Sequence, residues 1–244
     1  ALLSVLEEVG RVSPDVALAL SVHNCAVLPV VMAAGGDAHR LYLGKLAQGT
    51  ARGTGPITAS QRIGVCAARS DSLALVIEPQ DDGARFSLGA ADFEKIEAFK
   101  AYGFDALWFS QHLADGFNCE LTGVIDEEAW QQVRALMNLG VAGVCLGLAR
   151  GAAAAAVEYA VDRKQFGKPL TEFQAIQWMI ADSSAEIDAA HVLALQAADA
   201  IDSGPDSLQA ALQAAVFSAE VSVRAADRCL QIHGGYGYTT EYPA

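Results

Sequence analysis

From Asp126 onward, alanine, leucine, valine and glutamine recur at helical spacing, and this long stretch constrains the fold more than any other feature. Two turn signals interrupt it, Gly-Lys-Pro at residues 167–169 and Ser-Gly-Pro at residues 203–205. Alanine and leucine are strong helix formers, whereas glycine and proline end helices. The sequence therefore predicts three long helices that pack as a bundle.

The first predicted helix carries glycines at four-residue intervals, at Gly143, Gly147 and Gly151. This spacing places three positions without side chains on one face, where another backbone can approach closely. We therefore predict tight helix packing along this face. Beyond the helix, Gly167 is a candidate C-terminal cap, and Thr-Glu-Phe-Gln at residues 171–174 fits the capping box that opens the next helix.

The first half of the chain has a different character. Residues 2–46 are rich in apolar residues at helical spacing, with Gly35-Gly36 as a predicted helix stop and restart. Residues 49–123 contain glycine turns and short apolar runs typical of strands, at 73–77 and 106–109. We predict a mainly α fold with a small β insert. Its predicted domains are an N-terminal helical region (1–48), a reduced β domain (49–125) and a C-terminal helical bundle domain (126–244).

Charge and cysteine content argue against several classes of function. The formal net charge is −13, from 29 acidic and 16 basic residues, and nucleic-acid binding needs clustered Lys and Arg. The 5 cysteines are dispersed without a Cys-x-x-Cys pair, and the 5 histidines lack metal-ligand spacing. We therefore predict neither a disulfide framework nor a metal site, and no nucleic-acid partner.

Membrane insertion and export are not expected either. The longest apolar stretch, residues 139–149, is followed by Arg150, whereas a membrane-spanning helix needs about 20 mostly apolar residues. We interpret this stretch as a buried helix. No basic and apolar export signal opens the sequence, so the predicted location is the cytoplasm.

Two segments in the helical half carry the most specific motifs. Residues 163–170 read Arg-x-x-Phe-Gly-x-Pro-Leu, and Phe-Gln follows at 173–174. Residues 231–238 read Gln-Ile-His-Gly-Gly-Tyr-Gly-Tyr, and Glu-Tyr-Pro follows at 241–243. In this order and spacing they closely resemble the C-terminal helical domain of acyl-CoA dehydrogenases. Weaker likenesses to the beginning and end of the family's β domain lie at residues 42–49 and 108–123.

The resemblance implies an FAD shared across a subunit interface. In the family, the matching residues hold a flavin nucleotide that belongs to the neighbouring subunit or is shared with it. Arg163 then faces the pyrophosphate, since a guanidinium is a permanent bidentate partner for phosphate, and Phe166 packs on the nucleotide. The other residues implied to line the nucleotide are Gln174, Gln231, Ile232, His233, Gly234 and Gly235.

Each of these residues also has a structural interpretation. Arg163 can complement a helix C-terminus, Gln174 can be the last member of the capping box, and Gly234-Gly235 can stop a helix. His233 can be a solvated loop histidine, and we assign it no catalytic role.

The resemblance also implies a general base, and this sequence has no counterpart that we can identify. The family's reaction removes a proton from the α-carbon of an acyl-CoA thioester, which requires a carboxylate. In most members that glutamate lies beyond the position of Tyr242, in a segment that the sequence does not reach, and in others it aligns with Met137. Glu127 and Glu128 lie about two to three helical turns away.

The β domain departs from the family as well, because its Thr-Glu-Pro-x-x-Gly-Ser-Asp signature survives at best as Ile-Thr-Ala-Ser at residues 57–60. We therefore predict an acyl-CoA dehydrogenase subunit without a catalytic residue of its own, which completes the FAD site of a second family subunit. This resembles the heterotetrameric bacterial dehydrogenases of steroid side-chain breakdown. The alternatives are a truncated chain of a competent homotetramer, or a flavin-free helical scaffold.

Three large side chains on predicted helices are candidates for an acyl channel. They are Trp130, Trp178 and Met179. Aromatic and methionine positions on helices more often belong to the core, which is the preferred interpretation.

Overall fold

The computed structural model describes residues 1–58, 64–66, 72–91, 98–99, 108–110, 117–204 and 207–242. The chain opens with the helices α1 (Leu2–Gly10), α2 (Pro14–Ser21), α3 (Leu28–Ala34), α4 (Gly36–Ala38) and α5 (Gly44–Ala47). π-Helical segments at Val22–Val27 and His39–Leu43 join α2 to α3 and α4 to α5. Gly35 separates α3 from α4 with a φ of 61°, which confirms the predicted helix stop and restart.

The middle of the chain forms two small sheets. Its strands are β1 (Arg52–Thr58), β2 (Gly64–Cys66), β3 (Ser72–Gln80), β4 (Gly83–Ala91), β5 (Ala98–Phe99), β6 (Trp108–Ser110) and β7 (Phe117–Asp126). One sheet has the order β1-β3-β4-β7 and the other β2-β6-β5, with β1 parallel to β3 and the remaining pairs antiparallel. The apolar run at 73–77 lies in β3, as predicted. Of the run at 106–109, residues 108–109 lie in β6, and 106–107 are outside the described residues.

The three predicted long helices are confirmed as α6 (Glu127–Asp162), α7 (Gln174–Ser203) and α8 (Leu208–His233). α6 begins at a side-chain cap, because an Asp126 carboxylate oxygen accepts a 2.9 Å hydrogen bond from the Ala129 N–H. The strands β8 (Lys164–Gln165) and β9 (Lys168–Pro169) and a 3₁₀ turn at Leu170–Glu172 link α6 to α7. A second 3₁₀ turn, Gly234–Tyr238, follows α8. The fold is therefore mainly helical with a small β insert, as predicted.

Two predicted helix ends are wrong. α6 ends at Asp162, and Gly167, with a φ of 83°, lies in the turn of the β8–β9 hairpin instead of capping the helix. α7 begins at Gln174 after Phe173, without a side-chain cap, so the predicted capping box does not form. The reason is the hairpin, which is closed by a 2.9 Å bond from the Leu170 N–H to the Arg163 carbonyl and forms a separate unit between the helices.

The glycine face of α6 packs tightly against α1, as predicted. A Cβ atom on Gly147 would lie 2.6 Å from the Glu7 carbonyl oxygen and 2.7 Å from the Gly10 Cα. Gly143 and Gly151 meet α1 and the residue that follows it at similarly short distances. The two backbones can touch only because these side chains are missing.

A buried carboxylate reinforces this contact. Glu7 on α1 is 4% exposed and pairs with Arg150 on α6, which also lies 4.0 Å from Asp188 on α7. A buried charge is tolerated only when it is paired. The cluster therefore ties α1 to the helical bundle.

Two main cores hold these layers together. The first lies between the N-terminal helices, the four-stranded sheet and the start of α6, and it includes Trp130, which is 7% exposed. The second lies among α6, α7 and α8 and is rich in fully buried alanines, which permit close helix packing. Trp130 is therefore a core residue, whereas Trp178 is 62% exposed. Met179 packs against a smaller cluster near the ends of α6 and α8.

Two helical stretches, Pro14–Ala34 and Glu127–Asp162, are long and apolar enough to cross a membrane by length and composition. Long core helices meet the same criteria, and both stretches contribute residues to the cores described above. Length and composition do not distinguish these two cases. The expected absence of membrane insertion stays a prediction.

Candidate functional site

Two adjoining cavities lie where α6 and α8 end, and we call the pair the α6–α8 cleft. The first, of about 420 Å³, is lined by residues that include Glu158, Tyr159, Asp162, Arg163, His233 and Tyr242. The second, of about 460 Å³, is lined by residues that include Tyr159, Arg163, Leu170, Ile232, His233, Gly235 and Tyr236. Tyr159, Arg163 and His233 line both cavities and join them.

The floor of the cleft is held by small side chains at the α6–α8 contact. Ala156 and Ala160 of α6 pack against Cys229 and Ile232 of α8, and all four are buried. Leu170 and Met179 cover the edge of this cluster. The two helix ends are therefore fixed relative to each other, and so are the polar residues they carry.

Arg163 is the residue that follows α6, and it is half-buried. Its guanidinium carbon lies 5.3 Å from the centre of the Tyr236 ring, which is a cation–π distance. Among the described residues, no carboxylate oxygen lies within 4.0 Å of this guanidinium. Arg163 is the C-terminal cap residue of α6, and among the described residues its guanidinium keeps donors free for an anion.

His233 is the last residue of α8, and it is 3% exposed. Its ring stacks on Tyr159, with centroids 4.3 Å apart and planes 25° from parallel. Its Nδ1 lies 2.9 Å from the Cys229 carbonyl oxygen. The interpretation as a solvated loop histidine is therefore wrong, because the stack and the helix end bury the ring.

Phe166 occupies the turn of the β8–β9 hairpin. Its side chain is 93% exposed and its φ is 52°, a left-handed conformation that is unfavourable for a residue with a side chain. Within the described residues, its ring contact is Phe173, at 6.4 Å between centroids. An exposed aromatic ring on a strained turn is available to a ligand or a partner.

The two glycines after α8 differ. Gly234 has a φ of 60° and ends the helix, so its structural interpretation is correct. Gly235 has ordinary φ, and a Cβ atom there would meet nothing within 4 Å. The fold does not require glycine at position 235, and the open space leaves its backbone accessible from the cleft.

The structure brings together some of the predicted site residues and not others. Arg163, Ile232, His233 and Gly235 line one cavity. The remaining predicted residues are exposed and are not among the residues that line the cleft, and they are Phe166, Gln174, Gln231 and Gly234.

The cleft is also lined by three tyrosines for which the sequence predicted no role. They are Tyr159, Tyr236 and Tyr242. Tyr159 precedes Arg163 by one helical turn, so helical spacing carried a usable signal for it. Tyr242 lies 5.5 Å from the Tyr159 ring in an edge-on contact that only the folded chain creates.

The charges divide the cleft into two halves. The first cavity carries the carboxylates of Glu158 and Asp162, whereas the second has no acidic residue among its described lining residues. An anionic group is therefore favoured on the side of Gly235, with Arg163 between the halves.

The positions considered for a general base lie elsewhere. Met137 packs against the first core, and Glu127 accepts a 2.8 Å hydrogen bond from Gln131 in the first turn of α6. None of these lines the α6–α8 cleft. Of the β-domain signature at 57–60, residues 59–60 lie outside the described residues.

Comparison with known proteins links the helical half to one family. Residues 131–244 match the model described as acyl-CoA dehydrogenase, C-terminal domain. The caffeyl-CoA reductase-Etf complex subunit CarC of Acetobacterium woodii is 42% identical over 104 residues, which are 43% of this chain and 27% of that protein. The match therefore spans about a quarter of that relative.

Solved structures extend the likeness to the whole fold. Butyryl-CoA dehydrogenase from Megasphaera elsdenii superposes with a TM-score of 0.80 at 22% identity, over 98% of this chain and 72% of that one. The Tcur3481-Tcur3483 steroid ACAD variant superposes with a TM-score of 0.72 at 24% identity, over 99% and 72% of the two chains. The helices and the sheet thus share one architecture with these proteins.

Proposed function

We propose that this chain, whose residues 131–244 match the acyl-CoA dehydrogenase C-terminal domain, is a subunit of an FAD-dependent acyl-CoA dehydrogenase and completes the FAD site of a partner subunit. The proposed reaction is the α,β-dehydrogenation of an acyl-CoA thioester. The proposed location is the cytoplasm.

The observation that carries this proposal is Arg163 in the α6–α8 cleft. Its guanidinium is held over Tyr236 and has no carboxylate partner within the described part of the chain. A free, oriented guanidinium is suited to a diphosphate, which it binds through two parallel hydrogen bonds. The open backbone at Gly235 and the exposed ring of Phe166 fit the same nucleotide.

The role of this chain is to bind and orient the nucleotide. Arg163 would hold the phosphates, and Ile232, His233 and Gly235 would line the rest of the nucleotide. FAD, when bound, supplies the acceptor for the hydride that leaves the β-carbon of the acyl group. The overall charge of −13 makes this local cation more important, since the surface as a whole does not attract phosphate.

A partner is proposed because Met137, which aligns with one of the family's base positions, carries no carboxylate. Met137 is half-buried against the first core, and its thioether cannot act as a general base. Two similar proteins have names that describe assemblies of different chains. They are the CarC subunit of a reductase-Etf complex and the Tcur3481-Tcur3483 steroid ACAD. By the same reasoning we propose a heterotetramer, with a steroid or other bulky acyl-CoA as substrate.

The test is the flavin content of purified protein. The chain is expressed alone and together with an acyl-CoA dehydrogenase subunit that carries the base glutamate, and flavin absorbance is measured per chain. We expect little FAD on the chain alone and fewer flavins than chains in the complex. One tightly bound FAD per copy of the isolated chain would favour a competent homotetramer, and no flavin in either sample would favour a flavin-free scaffold.

A further inference from the structure

The hydrogen bond of His233 determines which of its ring nitrogens carries the proton. Nδ1 lies 2.9 Å from the Cys229 carbonyl oxygen, and a carbonyl oxygen can only accept a hydrogen bond. Nδ1 must therefore be the donor. In the neutral ring, Nε2 is then a bare acceptor.

The remaining contacts of the His233 ring leave its Nε2 atom facing the cleft. His233 is 3% exposed, yet it lines both cavities, so what remains accessible of it faces the cleft. Its described hydrogen-bond contacts, to the carbonyl oxygen and the sulfur of Cys229, are both at Nδ1. The stack on Tyr159 and the edge contact with Tyr242 hold the ring plane.

We propose that His233 is a specificity residue of the cleft, whose Nε2 accepts a hydrogen bond from a hydroxyl or amine of a nucleoside while Arg163 takes the phosphates. A lone pair repels a phosphate oxygen, so the two residues select opposite chemical groups on one ligand. The carboxylates of Glu158 and Asp162 are also hydrogen-bond acceptors and line the first cavity with His233. This side of the cleft therefore favours ligand groups that donate hydrogen bonds. The ligand class rests on the proposed function, whereas the protonation of the ring does not.

The first experiment reads the ring directly. In protein labelled with ¹⁵N-histidine, NMR correlations between the ring nitrogens of His233 and the carbon-bound ring hydrogens two bonds away distinguish the two neutral tautomers. We expect the Nδ1–H form at a pH where the ring is neutral. A dominant Nε2–H form would overturn the inference without affecting the proposed FAD role of Arg163.

The second experiment separates nucleoside from phosphate. ADP and inorganic pyrophosphate are titrated by calorimetry into flavin-stripped complexes with the partner subunit that carry the wild-type chain, His233→Phe, His233→Gln or Arg163→Gln, with melting temperatures measured in parallel. The phenyl ring keeps the stack on Tyr159 without a nitrogen, and the glutamine amide keeps an acceptor. One neutral hydrogen bond corresponds to about 3- to 10-fold in affinity.

We expect His233→Phe to lower ADP affinity by that factor, with pyrophosphate affinity unchanged and His233→Gln close to the wild type. Equal loss for ADP and pyrophosphate, or equal loss in both variants, would overturn the role of Nε2. If none of the complexes binds ADP, including the one with the wild-type chain, the proposed nucleotide function fails together with this inference. Binding that is indifferent to His233 but lost in Arg163→Gln would refute this inference alone.

Discussion

Arg163 has two roles at the scale of a single residue, since it closes α6 and faces the cleft. Its backbone N–H donates to the Tyr159 carbonyl at 2.9 Å, and its carbonyl accepts from Leu170. The main chain thus forms the helix end and the hairpin, which leaves the guanidinium to Tyr236 and to a ligand. Complementing the end of α6 and binding a ligand are therefore compatible roles for Arg163. Mutation distinguishes the free energies that the two roles contribute.

We predict that Arg163→Gln loosens FAD in the complex while the chain stays folded. A hydrogen bond to a charged group contributes about 1.5–3 kcal/mol, so FAD affinity should fall about 10- to 100-fold. A charge that only complements a helix terminus contributes about 0.3–1 kcal/mol to folding and nothing direct to the cofactor. FAD affinity and melting temperature are measured for both complexes at matched salt.

The matched control is Lys164→Gln, because Lys164 is exposed and its substitution removes the same charge one residue away. Equal flavin retention in the two variants, with only a small change in melting temperature, would assign Arg163 to helix capping alone.

At the scale of elements, the contact between α1 and α6 depends on missing side chains. Gly147 of α6 lies against the backbone of Glu7 and Gly10, and the paired Glu7 and Arg150 flank it. A helix interior normally gains about 0.5–1 kcal/mol when alanine replaces glycine. Here the steric cost opposes that gain.

We predict that Gly147→Ala destabilises the chain by about 1–3 kcal/mol, the usual cost of overpacking a core. Gly44→Ala is the control, because a Cβ atom there meets nothing within 4 Å and its φ is ordinary. Denaturant unfolding of both variants measures the difference. A stability of Gly147→Ala equal to or above that of Gly44→Ala would contradict the close contact.

A second link between elements joins the helical region to the sheet. The Gly53 N–H of β1 donates a 3.0 Å hydrogen bond to Nδ1 of His23, which lies between α2 and α3. Burial lowers the pKa of His23 below its ordinary value, despite a hydrogen bond to the Leu46 backbone that acts in the opposite direction. Folding therefore favours the neutral ring.

We predict that this link weakens in mild acid. As pH falls through the unfolded-state value of 6.5, the unfolded chain binds a proton that the folded chain does not, so the free energy of unfolding decreases until pH passes the lower folded-state pKa. Melting temperatures across this range should show a slope that His23→Gln reduces. An identical slope in wild type and His23→Gln would exclude this role.

At the scale of the whole molecule, the likeness in fold extends further along the chain than the likeness in sequence. The fold likeness covers 98% of the chain, while the family match is confined to residues 131–244. The α6–α8 cleft lies within the part of the chain that the family match covers, whereas Met137, at one of the family's base positions, carries no carboxylate. This combination supports the proposed role as a supporting subunit.

We predict that the isolated chain does not reduce an electron acceptor with any acyl-CoA, and that Met137→Glu does not restore turnover. Met137 packs against the first core, so a carboxyl there also lowers stability. Acceptor reduction is assayed for the chain alone, the variant and the complex, which should be active. Robust turnover by the isolated chain would point to another base, such as Glu127 or Glu128.

Much of the fold was determined by the sequence alone, because local periodicity and glycine placement act over a few residues. The three long helices, the strand at 73–77 and the glycine face at Gly143, Gly147 and Gly151 all follow from such short-range rules. The family likeness and the prediction of Arg163 as a phosphate ligand came from motifs at defined spacing. The domain boundaries and the cofactor contacts stay predictions.

Tertiary structure alone decided the helix ends and the shape of the cleft. Gly167 and Gln174 were expected at a helix cap and in a capping box, but a hairpin closed by the Leu170–Arg163 bond displaced both features. His233 became buried, and Tyr242 reached Tyr159, because α6 and α8 pack through small residues that bring their ends together. Such contacts join residues far apart in the chain, so no local pattern encodes them, and their geometry exists only once the helices have packed.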